Sequence, residues 1–80
     1  MARDTLDLHG CRADEIPDKV DKFLIDAAKI GLSRVRIMTG KGKGVVKKEV
    51  IAYLKLGKFS WHFETTAKRE VNEGVLVVHV

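Results

Sequence analysis

Eighty residues, 45% hydrophobic and 32% charged, make one domain spanning 1–80 with one core, because a chain this short buries only about 60% of its unfolded surface. There is no low-complexity tract, no internal repeat and no run near the ~18 apolar residues of a membrane span, and the N-terminus leads into strand-like sequence rather than an apolar signal segment. Membrane insertion and secretion are therefore set aside. The lone Cys11 cannot form an intramolecular disulfide, so a reduced, cytoplasmic setting is expected. The net charge of +4 is unevenly placed: residues 32–58 hold eight Lys and Arg against Glu49 alone, a local +7.

Thr5-Leu6-Asp7-Leu8-His9 alternates at period two and stops at Gly10, which reads as a short strand with Asp7 and His9 on one face. Ile16, Val20, Phe23, Leu24 and Ala27 recur at helical spacing, giving an amphipathic helix with Asp14 as N-cap, Pro17 in its first turn and Gly31 as its end. Val35 to Thr39 is a second strand and residues 40–44 are a tight glycine loop. Val46, Val50, Tyr53 and Leu54 define a second helix that stops near Gly57. Two further strands, 61–66 and 75–80, are joined by a hairpin connection over 67–74.

The order βαβαββ predicts an α+β fold, a two-layer sandwich with a four-stranded mixed sheet and both helices on one face. Leu6, Leu8, Val35 and Ile37 then face the helices, while Asp7, His9, Arg34, Arg36 and Met38 face away. The carboxyl ends of the first two strands, where βαβ units bind ligands, carry His9-Gly10 and Thr39-Gly40-Lys41.

Asp7 and His9 leave the same face of a strand, so the carboxylate can orient the imidazole as a general acid or base. The alternative is local: a turn-capping Asp and a His bonded at a strand end. Thr39-Gly40-Lys41-Gly42-Lys43-Gly44 lies between a strand and a helix, a setting that suits phosphate binding through close backbone approach and free N–H groups. It is neither a Walker A loop nor a dinucleotide fingerprint, and its plain alternative is a solvated turn. The +7 segment points to phosphate-bearing partners; Lys47, Lys48, Lys55 and Lys58 serve equally well as solubilising charge. Trp61 and Phe63 are expected to pack rather than stack on bases. Cys11 is read as a small hydrophobe. His62 and His79 are a further source of imidazole, but with His9 and Cys11 they do not show metal-ligand spacing, so no metal or other cofactor is expected.

Leu6-Asp7-Leu8-His9-Gly10 and Thr39-Gly40-Lys41-Gly42 resemble the two signature motifs of the Smr (small MutS-related) domain, and the resemblance extends over nearly the whole chain. It implies a fold similar to the C-terminal domain of translation initiation factor 3. It also implies endonucleolytic cleavage, as nicking of DNA or cutting of RNA, including ribosome-associated messenger RNA, with little or no metal dependence. Such domains occur alone or at the end of larger MutS-like chains. By position, Asp7 and His9 match the acid and imidazole of the first motif, and Gly40, Lys41 and Gly42 the glycine-rich second motif. One departure is that 71–75 keeps a single glycine where the family usually has several.

The combined expectation is an endonuclease with Asp7, His9 and Lys41 as catalytic residues and Arg36, Thr39, Gly40, Gly42, Lys43 and Gly44 as nucleic-acid contacts. In this scheme Lys41 and the loop N–H groups stabilise the phosphorane charge. A non-catalytic DNA- or RNA-binding module is the rival, and a protein-interaction domain with an acidic partner ranks third.

Overall fold

A computed structural model of the chain describes residues 4–40 and 44–80. Its elements are β1 (Thr5–Asp7), α1 (Ile16–Lys29), β2 (Arg34–Met38), α2 (Val45–Leu56), β3 (Ser60–Thr65) and β4 (Val71–His79), with a 3-10 turn at Ala13–Glu15 ahead of α1. The four strands form one sheet in the order β1-β2-β4-β3, with β1 and β2 parallel and β4 antiparallel to both neighbours. Four strands of mixed direction and two helices are the α+β sandwich anticipated from the element order.

The last strand lies inside the sheet because its sequence lacks alternation. Gly74, Val75, Leu76, Val77 and Val78 are all buried, as in a strand covered on both faces. Leu76 and Val78 join Leu8, Val35 and Ile37 in a core closed by Ile16, Val20, Leu24 and Ala27 of α1 and by Val50 and Leu54 of α2. Both helices thus contribute to one core on one face. Burying each Leu, Ile or Val among these contributes about 1.5–3 kcal/mol.

The helices stop by the same device with different residues. Gly31 has φ +83°, and its N–H bonds Ala28 O while that of Leu32 bonds Ala27 O, the paired bonds of a Schellman end. At the end of α2 the left-handed residue is Lys58 (φ +58°), not Gly57. Phe59 N–H bonds Leu54 O and Lys58 N–H bonds Lys55 O.

Several predicted boundaries move. β1 ends at Asp7 rather than His9, because the chain turns at His9 and Gly10, where φ is +80°. α1 begins after the 3-10 turn, so Asp14 is not its N-cap. Instead Glu15 accepts the Arg12 N–H at 2.9 Å, and Asp14 pairs with Arg12 at the surface. β4 begins at Val71, not 75, and the hairpin shortens to 66–70. Arg69 takes the left-handed position (φ +61°), as in hairpin loops built on a type I turn.

Candidate functional site

The parallel pairing of β1 with β2 places Asp7 beside Met38, so His9-Gly10 and Thr39-Gly40 leave the sheet side by side. β4 approaches them through a bulge: Phe63 pairs with Leu76, yet the next residue, Glu64, pairs with Asn72. The slack in β4 lets Gly74 O accept from both Thr39 N (2.8 Å) and Gly40 N (3.3 Å). Three chain segments thereby meet at one end of the sheet.

Asp7, His9, Met38, Gly40, Asn72 and Gly74 line one open hollow of about 290 Å³. Asp7 and His9 are both exposed and so accessible to a bound chain. The carboxylate does not orient the imidazole directly. Asp7 Oδ1 accepts the backbone N–H of His9 at 2.9 Å, and the His9 ring lies over Gly40, where an added Cβ would come within 3.4 Å of Cδ2. Because Gly40 has φ +79°, the position favours glycine on conformational grounds as well.

The other anticipated residues divide. Thr39 is buried, and its hydroxyl donates to Gly74 O at 3.4 Å; it shapes the junction from inside rather than facing a ligand. Gly44 ends the loop at the start of α2 with φ +80°. Lys41, Gly42 and Lys43 lie outside the described residues. Arg36 sits on the helix-free face, but its guanidinium reaches across β4 to Glu64 on β3 at 2.6 Å, a charge-assisted bond.

His62 and His79 are neighbours of each other, with ring centroids 5.3 Å apart, and not of His9. Their strand partners Val77 and Arg34 place them toward the far end of the sheet. Among the described residues no three His, Cys, Asp or Glu side chains converge as a metal-binding set. Trp61 and Phe63 pack against the core, edge to face at 5.3 Å, which is the packing role anticipated for them. Cys11 is half-buried against the core and its sulfur accepts from Lys19 Nζ at 3.2 Å. That hydrogen bond, with charge interactions from Cys11 and Glu15, raises the pKa of the Lys19 amine.

Sequence reading missed Asn72 and Lys47 as parts of the site. Asn72 lines the Asp7–His9 hollow and also a second one of about 490 Å³ that Lys47 helps to line. The local signal was an Asn two residues ahead of a lone Gly, a spacing at which the side chain can bond the later N–H; Asn72 Oδ1 does so to Gly74 N–H at 3.0 Å.

Among the described residues no helix is long and apolar enough to cross a membrane. A family model for the Smr domain matches residues 6–80. The chain is 36% identical over 75 residues to an endonuclease MutS2 from Ligilactobacillus salivarius, covering 94% of this chain but only 10% of that protein; it thus spans about a tenth of the curated relatives it matches. The crystal structure of the Smr domain of Thermus thermophilus MutS2 superposes with a TM-score of 0.78 at 32% identity, covering 94% of each chain. The human small-MutS related domain superposes with a TM-score of 0.76 at 29% identity, over 95% of this chain and 99% of that one. With a family model matched across almost its entire length, the chain belongs to the Smr domain family.

Proposed function

We propose that the protein is a nucleic-acid endonuclease domain that acts on phosphodiesters at the hollow between β1 and the β2 loop. The observation that carries this reading is the convergence of exposed Asp7 and His9 with Gly40 in one open hollow. The naming of its relatives as endonuclease MutS2 supports it.

In this scheme the His9 imidazole takes a proton from the attacking oxygen or gives one to the leaving oxygen. Asp7 fixes the backbone of His9, and its remaining carboxylate oxygen faces the substrate. Lys41, with the N–H groups of the glycine loop, stabilises charge on phosphorus, and Gly42, Lys43 and Gly44 complete the cradle. RNA is the easier substrate because its 2′-hydroxyl supplies the nucleophile; a domain of a larger MutS-like chain working on DNA uses water instead.

The test compares wild type with Asp7→Ala/His9→Ala on end-labelled single-stranded RNA and supercoiled plasmid, with and without chelator. Cleavage that is lost in the double variant is expected; cleavage that survives it removes Asp7 and His9 from the mechanism. The binding-module reading draws on the Asp7 carboxylate bonding backbone rather than imidazole, which leaves a sparse catalytic set. It predicts binding of both nucleic acids without cleavage and a steep fall of affinity with salt.

A further inference from the structure

We propose that Lys47 and Asn72 form a second phosphate-binding subsite, across the Gly40–Gly74 junction from Asp7 and His9. The substrate must then present two successive phosphodiesters, as a polynucleotide does and a mononucleotide does not. The inference rests on the reading of the Asp7–His9 hollow as the cutting site.

The two hollows share one wall. Gly40, Asn72 and Gly74 line both, and the larger is completed by Gly44 and Lys47 from the start of α2. Where they meet, the wall is mainly backbone, since Gly40 N–H bonds Gly74 O at 3.3 Å. A Cβ on Gly74 would lie 3.3 Å from Asn72 Oδ1 and 3.5 Å from Gly40 O. The missing side chains leave a low divide over which a sugar–phosphate chain can pass from one hollow into the other.

Asn72 stands on that divide with its amide already oriented. Its Oδ1 is held by Gly74 N–H at 3.0 Å, and because the carboxamide is planar, the NH2 group is left with two donors directed away from that bond. Donors fixed before a phosphate arrives lose little freedom on binding it.

Lys47 supplies the charge. Its Nζ lies 5.6 Å from the centroid of the Phe63 ring and 3.8 Å from Glu73 Oε1. The ring belongs to a residue packed on the core, so the ammonium is held in place on one side. The Glu73 carboxylate is 68% exposed and worth little as a partner. A phosphodiester brings a charged acceptor to donors on both Lys47 and Asn72 and displaces it. Glu73 and Glu70 also line this hollow and oppose a bound anion, so they should limit affinity.

The test measures binding of a labelled 2′-O-methyl oligonucleotide, which lacks the RNA nucleophile, by fluorescence anisotropy across a salt series with the full chain. Lys47→Ala should weaken binding about tenfold and lower the salt slope by about one, whereas Lys47→Arg should keep both. Asn72→Ala should weaken binding a few-fold at an unchanged slope, and Glu73→Gln should tighten it a few-fold. Replacing one internal linkage with a neutral methylphosphonate should cost wild type affinity, and cost Lys47→Ala less. An unchanged slope in Lys47→Ala, together with unchanged affinity in Glu73→Gln, overturns the subsite. Because binding is read separately from cleavage, failure of the nuclease reading would appear as intact RNA and plasmid in the cleavage assay, with these binding changes still present.

Discussion

Asp7 holds His9 by its backbone: the carboxylate accepts the His9 N–H across two residues at 2.9 Å, at the point where β1 gives way to a turn. The same bond that places the imidazole therefore also caps the strand end, so loss of the side chain should affect structure as well as chemistry. Asp7→Asn keeps an acceptor oxygen and should unfold near the wild-type temperature. Asp7→Ala leaves the N–H without its partner at a cost of about 1 kcal/mol, a drop in Tm of roughly 4–8 °C for a domain of this size. Cleavage should fall in both variants, because both lose the carboxylate charge. Thermal unfolding followed by circular dichroism, set beside cleavage rates, separates the two roles; full activity in Asp7→Asn would reduce Asp7 to its turn-capping one.

Much of this architecture was legible because periodicity and glycine positions are local signals. Val20, Leu24 and Ala27 reach the core from α1, and Leu8 and Ile37 from the sheet, as their spacing requires. The first residues of β4 were hidden by the bulge, since Asn72 and Gly74 read as turn residues when seen without their partner strand. The end of β1 was overextended for the opposite reason, because apolar-polar alternation continues to His9 after pairing has given way to a turn. Periodicity placed Asp7 and His9 near one another and left two outcomes open, a carboxylate that orients the ring or one that caps a turn; the bond to the His9 backbone N–H is the second. Asn72 is remote from both motifs in sequence and gains its position only because β4 docks Gly74 against Thr39 and Gly40, whereas Lys47 follows the glycine loop directly, in the first turn of α2.

Gly40 is where conformation and the site coincide. With φ +79° and the His9 ring within van der Waals range of any Cβ added there, Gly40→Ala adds backbone strain of about 1–2 kcal/mol and sets a methyl group against the imidazole. Tm should fall, and cleavage measured well below the transition should fall further than any loss of folded protein explains. Gly31→Ala is the control, since Gly31 has the same backbone sign (φ +83°) but ends α1 with open space around it; it should cost comparable stability while sparing cleavage in the folded fraction.

The end of α2 offers opposite changes at adjacent residues. Lys58 carries the left-handed φ of +58° although a glycine precedes it, so Lys58→Gly relieves strain and should raise stability by about 0.5–1 kcal/mol. Gly57 has an ordinary helical φ of −81°, yet a Cβ there would lie 2.6 Å from Phe59 Cε2. Phe59 stacks on Tyr53 and packs on the core, so Gly57→Ala must displace a supported ring, at a cost of about 1–3 kcal/mol. Urea unfolding should move the two midpoints in opposite directions; matching shifts would mean that the turn adapts to either residue.

Tyr53 ties α2 to α1 by donating its hydroxyl to Asp21. That hydrogen bond, aided by partial burial and the carboxylate charge, pushes the phenol pKa up from 10.0 to about 12. The folded state thus retains a proton that the unfolded state releases earlier. Its stabilising contribution is complete below pH 10 and is lost as pH rises through about 12. The pair is largely solvated, so its worth is about 0.5–1 kcal/mol. Tyr53→Phe should lower stability by that amount at pH 7 and show a shallower decline than wild type between pH 10 and 12. Absorbance titration of the single tyrosine near 295 nm reads the phenolate directly: a midpoint raised above 10 in the folded protein is expected, and a midpoint near 10 would show that the Asp21 contact does not hold the proton.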